Sequence, residues 1–343
     1  MNAVPNFDLL PSSALAATTR GSYIELLHSG RIAIQVDGEQ CFGMGDITAP
    51  LPMRSTAKPF LLLPLLRQED DSITSEHIAL FASSHNGERY HAQFLAQTMQ
   101  DWNIDASSVR LGRSRDPHAN LAVHSKKLTS IPENFLQNTC SGKHIAVMRL
   151  AQHLGQSMET YSDQQGPALT SIRTTLRETL HRAGHHLAGE AIDGCGLPTY
   201  AVSLKTIAAL YYELLHDAKE MAGIRTAMLR HPYAVAGRDR LVTTLLRQKI
   251  IAKDGFGGLF AIALRLPARS IAIAIKIDSG ADAVAEQIAA ELLKMLAGEA
   301  INIPSRYLSG IVYNQLGEPV GQTTTNSRIL EGLLHQFEYK IEM

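Results

Sequence analysis

The sequence predicts an α+β fold, with an antiparallel sheet from both ends of the chain and a helical lobe between them. Three observations support this. A β-rich run opens the chain at Tyr23–Val36, apolar residues recur every three or four positions through about residues 74–247, and β-like runs return after Gly255. Strands this far apart along the chain can form one sheet only if the two ends meet.

The chain is expected to form one two-lobed domain over residues 1–343. The sheet lobe takes about residues 20–55 and 250–343, and the helical lobe takes about residues 56–249. The sequence contains no repeat, low-complexity tract or evident linker that would separate independent domains.

The charge balance limits the class of partner. Thirty-two Lys and Arg face 33 Asp and Glu, for a formal charge of −1, so no strong attraction to nucleic acid or an anionic membrane is expected. No apolar run approaches the roughly 20 residues that cross a bilayer. Residues 1–17 lack the basic start of a secretory signal, and three cysteines are too few for a disulfide framework. We expect a cytoplasmic protein with a small, neutral or zwitterionic ligand.

The first elements follow from turn residues and prolines. His28-Ser29-Gly30 indicates a turn inside the opening β-rich run and predicts two antiparallel strands there, and Asp37-Gly38 indicates a second turn. A helix is predicted from near Ser55, with Pro59 in its first turn and Pro64 kinking or ending it.

The remaining elements follow from periodicity. Apolar spacing predicts helices at 91–102, 144–154, 169–183 and 204–221. Polar, turn-rich segments lie at 83–88, 138–143, 193–198 and 231–240, where chemistry usually gathers. Strands at 258–264 and 270–277 and a helix at 281–296 complete the prediction.

Ser55 and Lys58 are candidate catalytic residues, because three-residue spacing at a helix start places a hydroxyl and an amine on one face. A neutral lysine can deprotonate a serine nucleophile. Chance predicts about one such spacing in a chain of this composition, so a capping serine with a solvated lysine is the ordinary alternative.

Three further segments carry candidate residues. Lys253-Asp254-Gly255 is similar to the triplet that accompanies Ser-x-x-Lys in penicillin-recognising enzymes, and an exposed turn is its alternative. Residues 83–88 combine hydroxyls, an imidazole and a carboxylate, with a helix cap as the alternative. Arg238 and Arg240 could hold a substrate carboxylate in two-pronged fashion, or form ordinary surface.

The cysteines are candidate metal ligands. Cys140 and Cys195 lie beside glycines in polar segments, and Lys143 follows three residues after Cys140. Two thiols could bind a soft ion such as zinc, although two cysteines make only half of a structural zinc site. Buried, unpaired thiols are the alternative. The histidines at 181, 185 and 186 lack an acidic partner in a recognisable spacing and predict a solvated helix end.

The motifs together resemble the class 3, rhizobial-type L-asparaginases, in family order and over about residues 22–280. The matching blocks are Met-Arg-Ser-Thr-Ala-Lys-Pro at 53–59, Ser-Ser-His-Asn-Gly-Glu at 83–88, Asn-Thr-Cys-Ser-Gly-Lys-His at 138–144, Ile-Asp-Gly-Cys-Gly-Leu-Pro at 192–198, His-Pro at 231–232 with Ala-Gly at 236–237, and Lys-Asp-Gly at 253–255. One departure is Leu111-Gly112, within residues 111–118, where the family usually has Cys-Gly.

The resemblance implies a serine β-lactamase and penicillin-binding-protein-like fold, a homodimer, and hydrolysis of L-asparagine to L-aspartate and ammonia. It implies Ser55, Lys58 and Ser84 as catalytic residues, with Lys253 as the second lysine and Lys276 as its rival. It also implies a Zn²⁺ site at Cys140, Lys143 and Cys195 that tunes binding more than chemistry.

The mechanism we expect is acyl transfer. Ser55, deprotonated by Lys58, attacks the side-chain amide, and Ser84 and Lys253 relay a proton to the departing ammonia. A zwitterionic substrate needs opposite charges, for which the candidates are Arg54 or Arg238 and Asp193, and His85 is a further candidate for binding. The alternatives are a penicillin-recognising serine hydrolase or peptidase, and a non-catalytic metal- or amino-acid-binding protein.

Overall fold

The computed structural model describes residues 5–7, 13–111, 135–217 and 219–341. Its strands are β1 (Ala14–Arg20), β2 (Tyr23–Val36), β3 (Gln40–Met44), β4 (Pro50–Pro52), β5 (Gly189–Ile192), β6 (Pro198–Ser203), β7 (Ile251–Gly255), β8 (Leu259–Arg265), β9 (Ser270–Ile277), β10 (Ile311–Tyr313) and β11 (Pro319–Thr325).

Most of the helices lie along the chain between β4 and β7. They are α1 (Lys58–Leu61), α2 (Leu63–Leu66), α3 (Ser75–Phe81), α4 (Arg89–Asp101), α5 (Ser141–His153), α6 (Pro167–Arg182), α7 (Leu204–His216), α8 (Ala222–Arg230), α9 (Pro232–Ala236), α10 (Leu241–Arg247), α11 (Asp282–Ala297) and α12 (Ser327–Ile341). The mixture of helices with antiparallel sheet confirms the predicted α+β class.

The larger sheet has eight strands and draws on both ends of the chain. Its order is β10-β11-β1-β2-β9-β8-β7, and β3 also pairs with β2. β1 lies between β11 and β2 and pairs antiparallel with both, with Ala16 opposite Thr325 and Arg20 opposite Tyr23. The predicted meeting of distant strands in one sheet is confirmed.

The turn predicted inside β2 is wrong, because the strand runs unbroken from Tyr23 to Val36. His28 is buried and its ring nitrogens contact the hydroxyls of Thr18 and Ser279, each at 2.9 Å. Gly30 is needed for close packing: a Cβ there would lie 2.4 Å from the carbonyl oxygen of Lys276 on β9. The polar residues therefore mark an internal contact of the sheet and not a chain reversal.

The chain forms two compact units. One consists of Met1–Pro50, Ser203–Tyr212 and Ala252–Met343, and the other consists of Leu51–Val202 and Glu213–Ile251. The single two-lobed domain expected from the sequence stays a prediction.

The sheet unit has its core at the central strands. All but the last residue of β8 are buried, and β9 is nearly as enclosed, which is typical of strands covered on both faces. α11 packs against β8 and β9. The strands predicted at 258–264 and 270–277 and the helix at 281–296 are confirmed.

The helical predictions are confirmed with shifted ends. α5 begins at Ser141, three residues before its predicted start, and α7 ends at His216 because the Asp217 side chain accepts hydrogen bonds from Lys219 N–H and Met221 N–H. Pro59 and Pro64 each lie in the first turn of a four-residue helix. The polar turn predicted at 231–240 is partly wrong, because α9 occupies its first half.

Within the described ranges, none of the helices combines the length and apolar character that crossing a bilayer requires. The cytoplasmic location expected from the sequence stays a prediction.

Candidate active site

A strained backbone position precedes Ser55. Arg54 has a φ of 47°, in the left-handed region that costs a non-glycine residue of order 1–3 kcal/mol. Its N–H donates to Thr199 Oγ1 at 3.0 Å. The N–H of Met53 donates to Tyr200 O at 2.8 Å. The strand β6 therefore holds the short 3-10 turn on which half-buried Ser55 lies.

Lys58 is buried, with 1% of its surface exposed. Its Nζ donates to Ser83 O at 2.5 Å, to Thr139 O at 2.7 Å and to Ser84 Oγ at 3.5 Å. Three acceptors match the three donors of an ammonium group. The alternative of a solvated lysine is wrong, and in this arrangement Lys58 is hydrogen-bonded to Ser84 and not to Ser55.

The segment 83–88 lacks helix and strand, as predicted. Ser84 is buried, and its N–H donates to Val235 O at 3.0 Å. Gly87 has a φ of 68°, and a Cβ there would lie 2.2 Å from Gln137 O. Only glycine satisfies both conditions, so this residue fixes the path of the segment past residue 137.

His85 is fully buried and both of its ring nitrogens are engaged. Nδ1 accepts from the Gly87 N–H at 3.0 Å, so the proton lies on Nε2, which donates to Ser141 Oγ at 2.9 Å. The Ser141 hydroxyl in turn donates to Leu136 O at 3.0 Å. His85 thereby connects the Ser84 segment to the start of α5, and its predicted role in substrate binding stays a prediction.

Glu88 anchors the same segment to residues 233–238. Its carboxylate accepts from Tyr233 Oη at 2.5 Å and from the Arg238 N–H at 2.6 Å. Burial raises the pKa of Glu88, but these hydrogen bonds and one from Asn86 outweigh it and hold the pKa below its usual range. The guanidinium of Arg240 donates to Asn86 Oδ1 at 3.0 Å, whereas the Arg238 side chain is exposed.

Asp193 lies between two cations. Its Oδ1 is 2.8 Å from Arg54 Nε, and its Oδ2 is 3.9 Å from Lys143 Nζ. The carboxylate also accepts from the Gly194 N–H at 2.7 Å. The side chains of Asp193 and Lys143 are 7% and 5% exposed, so the contact is largely shielded from water.

Cys140 and Cys195 form a hydrogen-bonded thiol pair beside Lys143. Cys140 immediately precedes α5, and Cys195 lies in the turn between β5 and β6. The hydrogen bond from Cys140, assisted by the charge of Lys143, lowers the pKa of Cys195 to about 5. The same hydrogen bond, together with burial, raises the pKa of Cys140 to about 12. The pair therefore holds one proton and one negative charge near neutral pH.

His144 and Tyr161 form a second buried link behind this pair. Tyr161 Oη accepts from the Arg110 N–H at 2.9 Å and lies 2.6 Å from His144 Nδ1, to which it donates. Burial, followed by the charge of Lys143, lowers the pKa of His144 to about 3, so the ring is neutral. Both side chains are fully buried.

A comparison with protein-family models decides the family to which the chain belongs. The model described as L-asparaginase II matches residues 16–325 of this 343-residue chain. The chain belongs to the L-asparaginase II family. It is therefore an enzyme of the asparaginase type, an amidohydrolase. A search of curated protein sequences found no match.

In this asparaginase, the helical unit brings together most of the predicted site residues. Contacts join Lys58 to Ser84, and a second set joins Arg54, Asp193, Lys143, Cys140 and Cys195. The two sets meet at residues 139 and 140, since Lys58 donates to the carbonyl of Thr139, the residue before Cys140. The catalytic and binding roles of these residues stay predictions.

The two candidate second lysines lie in the sheet unit. Lys253, on β7, is fully buried, and its Nζ contacts Asp254 Oδ1 at 2.7 Å. The expected alternative of an exposed turn is wrong, because residues 253–255 belong to a buried strand. Lys276 is partly buried on β9, donates to Gly257 O at 2.7 Å and to Ile277 O at 2.6 Å, and has its pKa lowered by burial. Which lysine acts in catalysis stays a prediction.

Sequence reasoning missed four residues of the site. Thr139 contributes a backbone carbonyl, which no side-chain pattern could indicate. Ser141 and His144 lie inside the matching block 138–144 and could have been considered from that position alone, whereas Tyr161 lies outside every block. The departure at Leu111-Gly112 lies mostly outside the described residues, which end at 111 and resume at 135.

Proposed function

We propose that this chain hydrolyses L-asparagine to L-aspartate and ammonia through an acyl-enzyme formed on Ser55. The observation that carries the proposal is the buried Lys58, held against the Ser84 hydroxyl by two backbone carbonyls and placed one turn after Ser55. Membership of the L-asparaginase II family supports the substrate.

The hydrogen-bond partners of Lys58 suggest how it acts as a base. A neutral amine has two N–H donors and one lone pair. The two carbonyls would take both donors, which leaves the lone pair directed at the Ser84 hydroxyl. Ser84 can then pass a proton from the Ser55 hydroxyl to Lys58, because a hydroxyl both donates and accepts.

The reaction then proceeds in two balanced steps. The Ser55 oxygen bonds to the side-chain amide carbon, the C–N bond breaks, and the nitrogen takes up the proton and leaves as ammonia. Water next attacks the resulting ester, its proton returns to the serine oxygen, and aspartate leaves. Lys253, with Lys276 as its rival, is proposed as the second lysine of the proton relay.

The Arg54–Asp193 pair suits the ends of a free amino acid. Arg54 would take the α-carboxylate and Asp193 the α-ammonium, so the substrate exchanges one ion pair for two. Lys143 adds a second cation on the carboxylate of Asp193. His85 and Arg238, also predicted to bind substrate, have less support. His85 uses both ring nitrogens inside the protein, and the Arg238 side chain is exposed.

Zn²⁺ is proposed at Cys140, Lys143 and Cys195. The donor set fits in part: two adjacent sulfurs supply one readily formed thiolate, and an amine lies beside them. Among the described residues, no group of three His, Cys, Asp or Glu side chains could hold a metal. Zinc in proteins usually has four ligands, so Cys140, Lys143 and Cys195 would leave the fourth position open. The ion would supply positive charge beside the substrate site. Metal content before and after Cys140→Ala tests this assignment.

Two coarser features complete the proposal. A sheet built from both chain ends, with a helical segment between them, supports the serine β-lactamase and penicillin-binding-protein-like fold. The homodimer implied by the family resemblance is also proposed.

Ammonia release from asparagine tests the reaction. We expect Ser55→Ala and Lys58→Met to lose about 10²–10⁴-fold in turnover while they remain folded. Ser171→Ala, a half-buried serine on α6, and Lys294→Met, a half-exposed lysine on α11, are matched controls that keep full activity. Undiminished turnover in Ser55→Ala would refute the nucleophile, and binding of asparagine without hydrolysis by the wild type would indicate the non-catalytic alternative.

A further inference from the structure

Glu88 occupies the N-cap position of α4, but its carboxylate does not cap that helix. A polar side chain at this position commonly accepts a backbone N–H from the first helical turn. Among the described residues, the Glu88 side chain makes no such hydrogen bond to α4. A helix cap therefore does not explain this carboxylate.

The hydrogen bonds of the Glu88 carboxylate join two segments of the chain. Oε2 accepts from Tyr233 Oη, and Oε1 accepts from the Arg238 N–H at 2.6 Å and from Asn86 Nδ2 at 3.1 Å. The Asn86 amide also donates to Arg238 O at 2.9 Å. Residues 83–88 are thereby bound to α9 and to the turn that follows it.

Gly237 permits this close approach. It has a φ of 95°, and a Cβ there would lie 2.6 Å from Glu88 Oε1 and 2.9 Å from Asn86 Nδ2. Any larger residue would displace the carboxylate and the amide. The backbone between Tyr233 and Arg238 therefore has the shape that the Glu88 contacts require.

The contacts of Glu88 lie on both sides of the carbonyl that holds Ser84. Val235 O accepts the Ser84 N–H at 3.0 Å. Val235 lies two positions after Tyr233 and three before Arg238. Because Glu88 binds both of these residues, it fixes the two ends of the short stretch whose middle positions the backbone of Ser84.

A histidine on α4 reinforces the same connection. His91 Nε2 donates to Tyr233 O at 3.0 Å, and the His91 ring stacks on the ring of His85 with centroids 4.6 Å apart. His85 directly follows Ser84. The residue after Ser84 and the backbone of α9 therefore contact one ring, which limits how far the two segments can separate.

The Ser84 hydroxyl tolerates little displacement. Its Oγ lies 3.5 Å from Lys58 Nζ, whereas proton transfer needs a separation of about 2.6–3.2 Å. The contact must shorten for a proton to pass, and any further separation opposes the transfer. Misplacing a reacting group by about 1 Å can lower a rate about 10²-fold.

We propose that Glu88 is a positioning residue that keeps the Ser84 hydroxyl within reach of Lys58. It does so by binding Tyr233 and Arg238 on either side of the carbonyl that receives the Ser84 N–H. This role rests on the proton path through Ser84 proposed above, and it requires no contact between Glu88 and the substrate.

Steady-state kinetics of asparagine hydrolysis by Glu88→Ala test the role. We expect kcat to fall by about 10–10²-fold. KM should change by less than about 3-fold, because the Arg54–Asp193 pair proposed to bind the substrate is untouched. Glu88→Gln should retain most of the activity, since its amide keeps one oxygen for the Arg238 N–H and can donate to the Tyr233 hydroxyl.

Glu76 offers a matched control. Like Glu88 it is half-buried and accepts from a tyrosine hydroxyl, that of Tyr90, but it lies on α3. Glu76→Ala should therefore keep the wild-type kcat. Tyr233→Phe, which removes one hydroxyl, decides the question if Glu88→Ala does not fold. It should lower kcat by about 3–10-fold, whereas Tyr90→Phe should not.

A double-mutant cycle separates action through Ser84 from general damage to the site. If Glu88 places the Ser84 hydroxyl, adding Glu88→Ala to Ser84→Ala should change kcat by less than about 2-fold, because residues that act as a unit give non-additive losses. Independent damage would multiply the two losses.

The positioning role is overturned by a folded Glu88→Ala with the wild-type kcat, by a raised KM at unchanged kcat, or by multiplied losses in the cycle. A loss in Ser84→Ala without a loss in Glu88→Ala would remove this role alone. Undiminished turnover in Ser84→Ala would remove the proton path itself, and this role with it. The two failures are thereby distinguished.

Discussion

The Nζ atom of Lys58 lies 3.5 Å from the Ser84 hydroxyl, although the two residues are 26 positions apart in the sequence. Two carbonyls hold the amine at shorter distances. This contact makes Ser84 the hydroxyl to which Lys58 is bonded, and it separates the roles of the adjacent residues Ser83 and Ser84.

Ser84→Ala should lower turnover by about 10²-fold or more, because it removes the hydroxyl through which Lys58 receives a proton. Ser83→Ala is the matched variant: Ser83 contacts Lys58 through its carbonyl, which alanine retains, and its own buried hydroxyl has no hydrogen-bond partner among the residues that the structure describes. Steady-state ammonia release measures both. Equal losses in the two variants would contradict a relay through Ser84.

Arg54 can be tested by two substitutions that differ only in backbone preference. Arg54→Ala and Arg54→Gly both remove the guanidinium bound to Asp193, so both should raise KM for asparagine. At a φ of 47°, glycine should leave the protein about 1 kcal/mol more stable than alanine. Urea unfolding compares the two. Equal stabilities would show that the left-handed backbone costs little here.

Gly87→Ala should cost more than the strain of a left-handed backbone. Gly155 has nearly the same φ, 67° against 68°, but no atom of the described residues lies within 4 Å of a Cβ there, whereas at Gly87 the carbonyl of Gln137 lies 2.2 Å away. We expect about 1 kcal/mol of destabilisation for Gly155→Ala and at least about 2 kcal/mol for Gly87→Ala, with loss of activity in the latter. Thermal unfolding of both variants checks the difference.

The thiol pair predicts a pH dependence of stability in chelator-treated protein. Cys195 has a folded pKa of about 5, below its ordinary value of 9.0, so its contribution is complete above pH 9 and is lost as the pH falls toward 5. Cys140 acts in the opposite sense above pH 9, since its pKa is raised to about 12. The free energy of unfolding should therefore rise between pH 6 and 8, by about 2 to 3 kcal/mol, since one proton is released over two pH units at about 1.4 kcal/mol each.

Cys195→Ala should flatten that rise, and Cys41→Ala should not. Burial raises the pKa of Cys41, so its thiol stays protonated in this range. Urea unfolding at the two pH values measures each slope. Parallel slopes for the wild type and Cys195→Ala would contradict a shared proton.

Local patterns predicted most of the longer helices and the buried strands, but they missed several elements near the C-terminus and the first strand. Helices such as α4 and α6 have clear apolar periods, and the buried strands β8 and β9 have near-continuous apolar runs. β1 was not predicted, because its Ala and Thr residues give little apolar signal and are buried only through pairing with β11 and β2.

The order of the motifs predicted the candidate site residues, whereas their burial and contacts could be seen only in the folded structure. Lys58 was a plausible solvated lysine because its acceptors at Ser83 and Thr139 lie 25 and 81 residues away. The same holds for Asp193, whose two cationic neighbours, Arg54 and Lys143, are distant from it in the sequence. Sequence spacing names such residues but does not report burial or pairing between distant segments.

The position of β1 has a consequence for biosynthesis. Because Ala16 pairs with Thr325, the ribosome must release almost the entire chain before the central sheet can close. Until then the first hairpin remains without its C-terminal neighbours, and contacts this distant in sequence make folding slow. Nascent chains arrested before residue 325 should therefore be sensitive to proteolysis at their N-terminal strands, while the released chain is resistant there.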